Sequence, residues 1–213
     1  MSSSSAPSSP VTPRPAAAVV PIRDGAAGLE VLVAQRTPSA RFMGGFWVFP
    51  GGRVEPTDPD DAHAAARELR EETGVPVVPE LLVPLDRWIT PAVLPIRFDT
   101  AFFLGPVEGD PPVRIDGEEI VDARWATPAD LLAESAEGRA TMAFPTLRQL
   151  EELEGWETVA AALEACRRRE PPSTTPELEL EGDEARLLIE RGGVRRSYPA
   201  ADVPAGERGP SGS

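Results

Sequence analysis

The stretch from Pro50 to Val75 restricts what this chain can fold into more than any other. Pro50-Gly51-Gly52 predicts a sharp turn, where only glycine tolerates positive φ and close backbone approach. A helix should follow. Asp58 suits its N-cap, Pro59 its first helical position, and Asp60 and Asp61 the positive end of its dipole. Ala62, Ala65, Ala66 and Leu69 recur at helical spacing as a buried stripe, and Gly74 is the C-terminal stop.

Strand-like runs at 16–22 and 29–35 flank the turn residues Asp24-Gly25 and read as a hairpin, with a short apolar run at 46–49. Beyond the helix, strands are expected at 81–85, 97–104 and 120–125. A helix opens at Thr127-Pro-Ala-Asp130 and runs to 136, and another starts at 145 and continues to 169. Helices alternating with strands behind an opening hairpin predict an α/β fold with a mixed sheet. We expect a Ser/Pro-rich tail at 1–14, a domain over 15–170, and an extension over 171–213. The extension holds one hairpin (177–181 with 186–190) and ends in a Gly/Pro/Ser tail.

Composition removes several chemistries. All 21 basic residues are arginine, so lysine-dependent mechanisms are out: the Gly-Lys-Ser/Thr phosphate loop, Schiff bases and protein kinases. There is no asparagine, and His63 and Cys166 are the sole residues of their kinds, which excludes disulfides and a Cys/His zinc site. A net charge of −14 argues against a nucleic-acid partner. No run of about 18 apolar residues could span a membrane, and 16–22 is too short for a signal peptide, so a cytoplasmic protein is expected. The remaining chemistry belongs to carboxylates and arginines.

On a helix, Glu68, Glu71 and Glu72 project together. Three clustered like charges repel unless a cation sits among them, and hard oxygen donors without His or Cys suit Mg²⁺ or Mn²⁺. Taken alone, the helix is better read as a solvated acidic face. The preceding turn changes that. Gly52-x5-Asp58-x8-Arg67-Glu68-Leu69-x-Glu71-Glu72-x-Gly74-Val75 closely resembles the Nudix box, G-x5-E-x7-R-E-U-x-E-E-x-G-U, where U is aliphatic. Agreement at so many positions by chance is on the order of one in a million. Asp58 replaces the upstream glutamate, and one extra residue precedes Arg67, so the helix must start differently or bulge. Asp58 then acts only as a cap, with Asp60 or Asp61 substituting for the missing ligand.

The resemblance implies an α/β/α sandwich with its box over 51–75, and divalent-metal-dependent hydrolysis of a nucleoside diphosphate linked to another group. By carry-over, Glu68, Glu71, Glu72 and the carbonyl of Gly51 or Gly52 hold the metal. Arg67 orients a carboxylate, and the general base is Glu68 or a distant glutamate such as Glu119. Glu118 and Glu119 precede a Trp-bearing strand as in the family, and read equally well as an acidic turn after Asp116-Gly117.

Arg36-Thr37-x3-Arg41-x3-Gly45-x3-Phe49-Pro50-Gly51-Gly52 is similar to the signature of coenzyme A diphosphatases within that family. That likeness implies coenzyme A or an acyl derivative as substrate, with Arg36, Arg41 and Arg97 binding its phosphates and Phe46 or Trp47 stacking on adenine. An ADP-ribose or dinucleotide pyrophosphatase and a non-catalytic Nudix-fold ligand sensor are the alternatives. Family enzymes are often dimers, so a homodimer is compatible with the chain.

Overall fold

The computed structural model describes residues 11–181, 184–191 and 193–199. The expected tails lie outside these residues up to 10 and from 200 on. β1 (Arg14–Gly25) and β2 (Gly28–Arg36) form the opening hairpin, paired antiparallel from Ile22↔Val31 to Gly25↔Gly28. β3 (Trp47–Val48) joins β2, and β4 (Gly51–Arg53) joins β1. β5 (Val83–Ile89), β6 (Phe98–Pro106), β7 (Ile120–Ala126) and β8 (Ser173–Thr174) complete the large sheet, in the order β3-β2-β1-β6-β5-β8 with β7 on β2. β1–β6 and β5–β8 are parallel and the other pairings antiparallel, so the sheet is mixed.

Successive strand residues point to opposite faces, and here the two faces feed two apolar clusters. Ala17, Val19 and Leu32 pack with Ala64, Ala65 and Leu69 of α1 (Asp61–Thr73). Val20, Ile22, Val31 and Val33 pack with Leu131, Leu150 and Leu163 from α2 (Pro128–Ala136), α3 (Phe144–Leu153) and α4 (Val159–Arg167). The architecture is the α/β/α sandwich.

Several boundaries depart from the sequence reading. α1 is capped by Asp60, not Asp58: its carboxylate accepts from the His63 amide at 2.9 Å, and the helix starts at Asp61. The extra box residue is thus absorbed ahead of the helix, without a bulge in it. Gly74 closes the helix at φ 71°, where an L side chain would be strained. The strand expected at 81–85 starts later, at Val83 as β5, because a 3₁₀ turn, Pro79–Leu81, occupies the chain before it. The helix expected over 145–169 breaks between α3 and α4, with Thr158 capping the second piece. Glu177–Glu181 (β9), Glu184–Arg191 (β10) and Val194–Pro199 (β11) form a separate antiparallel sheet, and Leu187 and Ile189 of β10 join the larger apolar cluster. Among the described residues no helix is long and apolar enough to cross a membrane.

Candidate active site

The edge of β1 that faces β2 is shared. Ile22 to Gly25 pair with β2, whereas Ala16 to Ala18 pair with Gly51 to Arg53. Between them, Trp47 to Gly51 cross from the edge of β2 to that of β1, held where the Val19 amide donates to the Pro50 carbonyl at 3.0 Å. The glycines that follow begin β4 instead of forming the expected sharp turn, and neither is at positive φ. Close approach requires them instead. A Cβ on Gly51 would lie 2.5 Å from the Ala17 carbonyl oxygen and from the Ala18 Cβ, and one on Gly52 would lie 2.5 Å from the Glu68 carboxyl group. The first glycine is forced by a strand, the second by the site.

Arg67 organises the acidic side. Its Nε and Nη2 donate to the two Asp58 oxygens at 3.0 and 2.9 Å, a bidentate pair. Nη1 donates to Glu68 at 2.9 Å and to Glu71 at 3.1 Å, and Nη2 also reaches the Arg53 carbonyl at 3.1 Å. The donors of the guanidinium are therefore committed within the box. Asp58 is neither the helix cap nor replaced by Asp60 or Asp61; it occupies the upstream acidic position as the anchor of Arg67. Asp60 bonds His63, ring to carboxylate, at 2.8 Å.

Glu72 is buried behind this pair, and its Oε2 accepts from the Gly51 amide at 3.0 Å. Burial pushes its pKa up to about 8, with the charges of Glu68 and Glu119 adding and the Gly51 amide and Arg36 opposing. Burial also raises Glu68, against Arg67. Glu119 is two-thirds exposed and lies 4.0 Å from Arg36. It is presented by Asp116, whose carboxylate accepts from the amides of Glu118, Glu119 and Ile120. Arg36 sits where the β2–β7 register slips, an irregularity of the kind that re-aims a side chain. Among the described residues no three His, Cys, Asp or Glu side chains gather closely enough to cage an ion as they stand. Arg67 bridges Glu68 and Glu71, and Gly51 holds Glu72.

Arg67, Glu68, Glu71, Glu119, Gly51, Gly52 and Arg36 all line one cavity of about 490 Å³. Three expected substrate residues do not. Arg41 is exposed and outside it. Arg97 is buried, with Nε donating to the Thr90 carbonyl at 3.0 Å and Nη1 to the Val11 carbonyl at 2.6 Å, so it ties down backbone rather than phosphate. Phe46 is buried away from the cavity, because Met43 at φ 52° and Gly45 at φ 81° interrupt the extended chain before it. The sequence reading missed Phe42, which lines the cavity 5.5 Å from the ring of Phe98, and Arg53, next to the glycine turn. It also missed the apolar wall of Trp88, Phe102, Phe144, Pro176 and Leu187.

Comparison with known proteins agrees with this geometry. Residues 12–147 match the model of the NUDIX domain. The chain belongs to the Nudix family. Among curated Nudix relatives, the Caenorhabditis elegans protein named "Putative nudix hydrolase 7" is 28% identical over 163 residues, 58% of this chain and 55% of that protein. The phosphatase NudJ of Escherichia coli is 31% identical over 107 residues, half of this chain and 65% of that one. The chain thus spans little more than half the length of the first of these. Among solved structures, a NUDIX hydrolase from Alicyclobacillus acidocaldarius superposes with a TM-score of 0.66 at 29% identity, over 72% of this chain and 96% of that one.

Proposed function

We propose that this Nudix chain is a divalent-metal-dependent pyrophosphohydrolase that cleaves a nucleoside diphosphate linked to a second group. One observation carries the reading: Arg67, itself fixed by Asp58, holds Glu68 and Glu71 together in the wall of a cavity that Glu119 also lines. The donor set fits Mg²⁺ or Mn²⁺, being carboxylate oxygens from one helical turn with no His or Cys beside them. Glu68, Glu71 and Glu72 would hold the ions, with the carbonyl of Gly51 or Gly52 as a further ligand. When bound, such ions neutralise phosphoryl oxygens and lower the pKa of water. Arg67 is a positioning residue, since its donors are taken. Glu68 or Glu119 accepts the proton of the attacking water, and Arg36 meets the diphosphate. Phe42, not Phe46, offers a ring to the base.

The finer reading is a coenzyme A-type substrate, supported by the residues from Arg36 to Gly52 and by an apolar wall suited to an uncharged chain. A second reading, ADP-ribose or a dinucleotide, is favoured by one fact: of the three arginines assigned to phosphates, Arg36 alone lines the cavity. The NUDIX domain of Shewanella oneidensis NrtR, solved with ADP ribose, shares this fold with a TM-score of 0.55 at 21% identity. A panel of coenzyme A, dephospho-coenzyme A, ADP-ribose and NADH with Mg²⁺ or Mn²⁺ separates the two. Preference for coenzyme A over its dephospho form supports the first; equal rates on both, or preference for ADP-ribose, overturn it. Tight binding of any of them without turnover would instead make the protein a ligand sensor.

A further inference from the structure

The cavity extends beyond the part of the chain that matches the family. Pro176 and Leu187 line it, yet both follow residue 147, where that match ends. Successive alternate residues of β10 point one way, so Leu187, Ile189 and Arg191 share a face. Leu187 reaches the cavity and Ile189 the core. Arg191 donates to the Asp86 carboxylate, whose side chain is fully buried, and to the Thr174 hydroxyl. Asp86 also accepts from the indole Nε1 of Trp88 at 2.6 Å, and the Arg191 guanidinium lies 4.8 Å from the centre of that indole. Trp88 is itself a cavity wall and meets Phe144 edge-on at 6.0 Å, and Phe144 in turn meets Tyr198 of β11 at 5.2 Å. One buried carboxylate thus fixes both the tryptophan of the domain and the strand that carries Leu187.

We propose that Leu187 is a specificity-determining residue that selects the substituent beyond the diphosphate, and that the Asp86–Arg191 pair is the positioning latch that seats it. The substituent it favours is uncharged and apolar, since Leu187, Trp88, Phe102 and Phe144 offer it no charge to pair with. The proposal rests on the pyrophosphohydrolase reading for its reaction but not for its binding.

The test uses the methyl and octyl β-phosphate esters of ADP with the full chain and Mn²⁺. Leu187→Trp, which fills the wall, lowers the octyl-to-methyl ratio of kcat/KM by about tenfold, the scale on which hydrophobic pockets discriminate. Leu187→Ala raises the corresponding dodecyl-to-octyl ratio, which covers the case where the tryptophan variant fails to fold. Arg191→Leu lowers the octyl-to-methyl ratio through KM rather than kcat, and Arg191→Lys restores part of it. Ratios that stay at the wild-type value in folded variants overturn the proposal. Binding of both esters is measured in parallel by tryptophan fluorescence. If neither ester is hydrolysed but Leu187→Ala and Arg191→Leu still change octyl relative to methyl affinity, the activity reading fails and the wall assignment stands. If hydrolysis persists with unchanged ratios, the reverse holds.

Discussion

The two walls of the cavity are held by different means. On the α1 side the carboxylates are held by charged hydrogen bonds, with one guanidinium tied to Asp58, Glu68, Glu71 and a backbone carbonyl. On the apolar side Trp88, Phe102, Phe144 and Leu187 come from β5, β6, α3 and β10 and are held mainly by packing, with the Asp86 carboxylate tying Trp88 to Arg191. Apart from Arg36 and Glu119, the first wall lies within a single stretch of chain, from Gly51 to Glu71, and the second is assembled from distant ones. On the proposed function, damage to the charged wall should show in kcat and damage to the apolar wall in KM.

The two glycines of β4 offer the sharpest break of that separation. In Gly52→Ala the new Cβ displaces only the far end of Glu68, a flexible side chain, so the fold should survive while turnover falls about a hundredfold, as for a misplacement near 1 Å. In Gly51→Ala the Cβ meets the backbone of Ala17 and Ala18, so stability should fall by about 1–3 kcal/mol or more. Melting curves beside initial rates check both; equal stability loss in the two variants would break the separation.

A smaller effect tests the anchor. The hydrogen bonds from Arg67 hold the Asp58 carboxyl below its ordinary 3.8. Its stabilisation is therefore present above that value and lost as pH falls through the lowered one. Asp58→Asn should lower the melting temperature near neutrality and flatten its decline below about pH 4; an unchanged acid limb would remove Asp58 from the account.

The smallest effect is expected at His63, whose pKa is raised by its hydrogen bond to Asp60. That contribution is complete below 6.5, the ordinary value, and fades as pH rises through the raised one. His63→Gln should melt below the wild type only on the acid side, with turnover unaltered, because His63 lies outside the cavity.

The same division explains what was legible in the sequence. Glu68, Glu71 and Glu72 share a helical turn, and the box resemblance rather than the helix by itself marked them as a site; Glu68 and Glu71 line the cavity, while Glu72 is buried behind them. Helical periodicity says nothing of the turn ahead of the helix, where Asp58 accepts from the Glu55 amide at 2.8 Å and turns its carboxylate to Arg67. Arg97 resembled a phosphate ligand because arginine is the only strong cation in the chain, but its partners are backbone carbonyls, which no side-chain pattern reveals. Phe46 was read as the stacking ring and Phe42 was missed, because the turn with Met43 and Gly45 at positive φ, which a residue pattern does not reveal, separates the two. Leu187 and Trp88 could not be joined at all, since the buried pair that joins them spans 105 residues.

The most direct test of the central claim is the Glu71→Gln/Glu72→Gln double variant, assayed with Mg²⁺ and Mn²⁺ on the best substrate of the panel, with metal binding followed by calorimetry. The account predicts a folded protein whose metal affinity and turnover both fall by orders of magnitude. Hydrolysis at the wild-type rate would contradict it.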